Sequence, residues 1–185
     1  MILKQMLKQS LPLLILCGIG GVFTGSILGS MVDIFQRIPG LLVIIPGIIA
    51  LRGNISTAFG SRLGSAYHLG LINAENMWND ALKQNVIGSL VLSILVSFSI
   101  GLVAYLTTLV FFQQQVNLMF LLGTVLIAGI ASGLLLTSFT IFIIFLVFKR
   151  GYDPDNITGP ALATVGDITT MLCIYAGALL MEVVM

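Results

Sequence analysis

The stretch GPALATVGD, residues 159–167, lies inside a run otherwise apolar enough to cross a membrane. It ends on a carboxylate, Asp167, and the next charged residue is Glu182. A carboxylate at mid-span costs about 2.5–3.5 kcal/mol on insertion scales, so such residues face a bundle interior or a water-filled path. On a helix, Asp167 shares a face with Pro160, Ala163, Thr164 and Thr170. That face is a narrow stripe of small and oxygen-bearing groups. Thr164 and Thr170 suit helix packing as well as they suit an ion path. Pro160 has no N–H, so the carbonyl of Asn156 loses its helical partner. Freed carbonyls at membrane depth are tolerated where they line a cavity, and they are ligands for hard cations.

The rest of the chain is dressed for lipid. Of 185 residues, 58% are hydrophobic and 8% charged, against about 25% charged in soluble domains. Mean hydropathy is +1.12. The formal net charge of +1 gives no basic footprint for nucleic acid. Cys17 and Cys173 both fall in apolar runs and read as small buried hydrophobes. The first apolar run is too long for a signal-peptide core and reads as a retained anchor. No nucleophile–base pair or metal-ligand cluster points to an enzyme, and His68 stands alone in a loop. The fold expected is an all-α integral membrane protein made of one transmembrane domain over 1–185, with no soluble regulatory domain.

Five spans are expected, at about 11–31, 38–63, 86–112, 118–148 and 158–184. Six of the eight basic residues (Lys4, Lys8, Arg62, Lys83, Lys149 and Arg150) fall on one side of this arrangement. The positive-inside rule then makes the N-terminus cytoplasmic and the C-terminus external, in a multi-pass plasma-membrane protein. The segment NAENMWNDALK in the longest inner connection is compatible with a short interfacial helix carrying Trp78. Small residues recur every four positions: Gly21, Gly25 and Gly29; Ser89, Ser93, Ser97 and Gly101; Gly60 and Gly64; Gly129 and Gly133. Each stripe reads as a helix-packing face.

The second span repeats the proline theme. IIPGIIALRGNISTAFGSR holds Pro46, Gly47, Gly53 and Asn54. A helix interrupted by Pro and Gly, followed by an amide, suits the wall of a pathway better than a rod in lipid. Arg52 is expected either to snorkel to the inner interface or to pair with an acid. Ahead of the fifth span, YDPDN places Asp153 as an N-cap, Pro154 as first helical residue and Asp155 at the positive end of the dipole. The same two acids also suit recruitment of cations at a cytoplasmic mouth.

IPGLLVIIPGIIALRGNISTAFGSRLGSA resembles the proline-then-Gly-Asn signature of the MgtE family of magnesium transporters and channels. YDPDNITGPALATVGDITT resembles that family's last-helix signature. The resemblance implies that Asp167 is the central Mg²⁺-binding acid, with Ala163 as the carbonyl one turn before it. It also implies that Asn54 is the pore-facing amide, and that the chain works as a homodimer with the ion path between subunits. A homologous second chain could replace one protomer. The family's large cytoplasmic regulatory domains are not matched here. The second-span motif carries an arginine before Gly-Asn and no glutamine soon after it.

The expected function is transport of a divalent cation, Mg²⁺ foremost, with Asp167, Ala163, Asn54, Thr164, Asp153 and Asp155 as candidate ligands. A two-fold axis would supply two carboxylates to a hydrated Mg²⁺. Two other classes remain open on the residues alone. One is a proton-coupled transporter with Asp167 as relay. The other is a non-transporting assembly subunit with Asp167 as structural glue.

Overall fold

A computed structural model describes residues 2–38, 40–72, 78–149 and 154–184, all helix and connection with no strand among them. Six helices follow in order: α1 Ile2–Ser30, α2 Val32–Arg37, α3 Gly40–His68, α4 Asp80–Phe111, α5 Leu118–Lys149 and α6 Pro154–Val184. Five of them are long and apolar enough to span a membrane, and α2 is the exception. Backbone hydrogen bonds closed within each helix are the condition for crossing lipid.

Several ends differ from the sequence expectation. α3 continues to His68 rather than stopping near 63, and α4 starts at Asp80 rather than near 86. The start of α4 has a local cause: Asn79 caps it, its Oδ1 accepting from Leu82 N at 3.0 Å. Trp78 and Asn79 lie outside the helix, and the rest of the expected interfacial segment (73–77) lies outside the described residues. Neither Pro46 nor Pro160 breaks its helix, so the interruption expected in the second span is absent. At the far end of α4, Gln113 takes a left-handed φ of 52° and the chain leaves the helix.

Close contacts fix how the helices run. Cys17 and Gly20 of α1 meet Pro160 and Thr164 of α6, so these two helices are parallel. Gly123 and Gly177 bring α5 and α6 together against Met181 and Thr124, in antiparallel sense. Gly129 and Gly133 admit Ser97 and Ser93 of α4. Gly60 of α3 packs on Leu162 of α6. α3 is thereby central, touching α4, α5 and α6, while α1 packs mainly along α6. Arg37 Nη1 pairs with Glu182 Oε1 at 2.9 Å, which puts the end of α2 and the end of α6 at one end of the bundle.

The small-residue stripes divide. Ser89, Ser93 and Ser97 are buried at 1% exposure or less, as a packing face should be. Gly21, Gly25, Gly29 and Gly64 have no neighbouring atom within 4 Å of where a Cβ would stand. Within this chain the α1 stripe is therefore not a packing face. α1 turns the side bearing Cys17 and Gly20 toward α6 instead.

The buried interior has two apolar clusters. One gathers Leu41, Ile44, Ile48, Leu121, Met171 and Ile174. The other gathers Phe59, Leu63, Ile72, Leu82 and Ile144. Between them along α3, α4 and α5 come buried Arg52, Ser56, Ser89, Ser93, Ser132 and Thr140. A polar layer thus crosses the middle of the bundle.

Candidate functional site

Asp167 stands on α6, half-buried, and Ala163 one turn before it is exposed. Thr164 is half-buried; its hydroxyl donates to the Pro160 carbonyl at 3.1 Å and its methyl faces Gly20 of α1. Cys17 Sγ lies 3.5 Å from the same carbonyl. Thr164 and the Pro160 oxygen are thus engaged in the α1–α6 contact. Thr170 is fully buried, and its hydroxyl has no hydrogen-bond partner. Asp153 lies outside the described residues, and Asp155 belongs to the first turn of α6.

Asn54 is exposed on α3. Its depth follows from the Gly60–Leu162 contact, where a Cβ on Gly60 would lie 3.4 Å from Leu162 Cδ1. From that contact Asn54 is six residues along α3 and Asp167 five along α6, toward the same end. At about 1.5 Å per residue the two rise about 9 and about 7.5 Å. The amide and the carboxylate therefore sit at nearly one depth.

The face of α3 that carries Asn54 was only partly foreseen. Pro46, Ala50, Asn54, Thr57, Ser61 and Ser65 are all exposed and follow one another by three or four residues. Its opposite face, with Leu41, Ile44, Ile48, Leu51 and Phe59, is buried. A helix turned to lipid would show the reverse. Ser61 and Ser65 were missed because each reads singly as an ordinary packing serine. The signal was their registry with Asn54.

Arg52 neither snorkels nor pairs with an acid. It is 1% exposed, and its Nη1 donates to Ser93 Oγ at 2.9 Å. Two residues away from Asn54, it points to the other side of α3. His68 closes α3 with its ring edge-on to Tyr67, centroids 6.2 Å apart. Cys17 and Cys173 are free thiols. Among the described residues no three His, Cys, Asp or Glu side chains converge as a metal cluster. The described residues offer single carboxylates and neutral oxygens, a donor set suited to an ion that keeps its waters.

These features define a polytopic helical membrane protein with an acid and an amide at mid-depth. Residues 45–177 match the model of the MgtE family, divalent cation transporters, and the chain belongs to that family. It is 26% identical over 179 residues to solute carrier family 41 member 2 of Gallus gallus, covering 90% of this chain and 30% of the relative. The human protein of the same name gives the same identity and coverage. Solute carrier family 41 member 3 of Rattus norvegicus is 26% identical over 183 residues, covering 92% of this chain and 37% of its own length. The chain thus spans about a third of the curated relatives it matches.

Proposed function

We propose that this chain carries a divalent cation, Mg²⁺ foremost, across a membrane, along a path between two subunits with Asp167 as its central carboxylate. The observation that carries the reading is the outward face of α3. Its small and polar side chains lie on the protomer surface, with Asn54 at the depth of Asp167. Small, oxygen-bearing groups are poorly suited to hydrocarbon and well suited to a close subunit contact or to a hydrated ion. Family membership supports the cargo class.

Each part of the site then has a role. Asp167 supplies the negative charge, and a two-fold partner supplies a second. The Ala163 carbonyl, Asn54 and the Thr57 hydroxyl contact the waters of the ion rather than stripping them. Mg²⁺ gives up waters reluctantly, so one carboxylate per chain is enough where the shell is retained. Thr164, already bonded within α6, acts by holding α6 to α1. Asp153 and Asp155 are assigned to the cytoplasmic mouth, where they concentrate cations. The positive-inside rule supports a cytoplasmic N-terminus and an external end carrying the Arg37–Glu182 pair, in the plasma membrane. The partner is a second copy or a homologous chain.

The test is uptake into proteoliposomes holding only this chain, with a Mg²⁺-sensitive dye inside. The reading expects saturable Mg²⁺ entry without an imposed proton gradient. Entry that requires a pH gradient would assign Asp167 to proton relay, and no entry of any divalent cation would make the chain an assembly subunit.

A further inference from the structure

The polar layer holds one charge that nothing described neutralises. The Arg52 guanidinium is 1% exposed, with only Nη1 bonded, to Ser93 Oγ at 2.9 Å. Nε and Nη2 have no partner. Ser93 Oγ spends its one proton on the Ser89 carbonyl at 2.7 Å and is neutral, so it offers no counter-charge. One turn along the same face of α4, the Ser97 hydroxyl is buried and unpartnered too. Glycine at 133 is what lets the guanidinium in: a Cβ there would stand 2.8 Å from Nη1 and 3.2 Å from Ser93 Oγ.

Arginine does not shed its proton in proteins. The charge is therefore permanent, and a buried guanidinium needs both acceptors and a counter-charge. Among the described residues the ion pairs are Arg37–Glu182 and Lys83–Asp80, and neither involves Arg52. The layer also comes near Cys173 of α6, a buried free thiol and not an acid. Asp155 is far off: eighteen residues of continuous α6 separate it from Cys173, about 27 Å of helix. Asp167 is closer in sequence but stands half-exposed on the protomer surface. Water would satisfy the free N–H groups and leave the charge standing.

We propose that Arg52 Nε and Nη2, with the Ser97 hydroxyl, hold a small monovalent inorganic anion of the chloride class inside the protomer, between α3 and α4. An anion of that size accepts several N–H and O–H donors at once, supplies the missing charge and needs no further protein group. Its role is structural: it neutralises the layer that separates the two apolar clusters.

The test uses the purified full chain in detergent, melted in sodium chloride, bromide or gluconate at equal ionic strength. Halide should raise Tm saturably, by about 5 °C at a hundredfold excess over Kd. Gluconate, too large for the site, should not. Arg52→Gln should abolish the halide dependence, and Arg52→Lys should keep part of it. Bromide in crystals of the unmodified protein should give an anomalous peak within hydrogen-bond distance of Nε or Nη2, a readout that does not need any variant to fold. Equal melting in gluconate and bromide overturns the proposal. So does density showing only water, or no bromide, beside Arg52.

Discussion

α3 and α4 pack on each other and are dressed in opposite senses. α4 turns Ser89, Ser93 and Ser97 inward and shows Ile87, Leu95 and Val103 outward. α3 turns Leu41, Ile44 and Ile48 inward and shows Ala50, Asn54, Thr57 and Ser61 outward. The outer side of α4 is what hydrocarbon selects, and its serines serve close approach to α5. Two of them spend their hydroxyls at home: Ser93 bonds the Ser89 carbonyl, and Ser89 bonds that of Asn85. The outer side of α3 has no such explanation in lipid. The contrast teaches that polar content alone does not locate a pathway. In the proposed reading the pathway is assigned by the side of the helix on which the polar groups stand.

The sharpest way to break the contrast is to overfill the α4 face. Ser97→Leu pushes a larger side chain into the glycine gap at Gly129. Overpacking of this kind costs about 1–3 kcal/mol, and more where neighbours cannot shift. The variant should lose folded yield in detergent and melt well below the parent. Leu95→Ser, on the exposed side of the same helix, should melt close to it.

On α3 the order reverses. Asn54→Leu adds an apolar group to an exposed position, so stability should be unchanged within about 0.5 kcal/mol. If α3 lines the proposed path, Mg²⁺ uptake should fall about tenfold or more, because hydrocarbon replaces a neutral oxygen donor there. A melt equal to the parent together with undiminished uptake would make the outward face of α3 an ordinary contact surface.

The smallest effect is expected at the end of the bundle. Arg37 and Glu182 pair at 2.9 Å, with the arginine well exposed. Such pairs contribute about 0–1 kcal/mol and are screened by salt. A double-mutant cycle through Arg37→Gln and Glu182→Gln should give a coupling of that size, vanishing near 1 M salt.

Much of this was legible from the sequence. Apolar run length located the spanning helices, and the cost of a lone carboxylate in lipid singled out Asp167. Spacing also grouped Ser89, Ser93 and Ser97 correctly as a buried face. It failed for Gly21, Gly25 and Gly29, whose spacing is the same and whose stripe meets no atom of this chain. The spacing says that a face permits close approach; which helix arrives there is settled by contacts far away in sequence. Arg52 was illegible for the same reason. Its burial depends on Gly133, which lies eighty-one positions along the chain and leaves room for the guanidinium beside Ser93. The two prolines misled in another way: they remove donors, yet α3 and α6 run through them as continuous helices.

The most direct test of the account is Asp167→Asn in the same proteoliposomes. The substitution keeps size and one oxygen while removing the charge, and across a two-fold axis it removes two. In a partly desolvated path that weakens the hold on a divalent ion by several kcal/mol. The account predicts a variant that folds, melts and assembles like the parent and loses most of its Mg²⁺ flux. Near-parental uptake by a well-folded Asp167→Asn protein would contradict it, since an amide can replace a carboxyl that only ties helices together but not one that binds the ion.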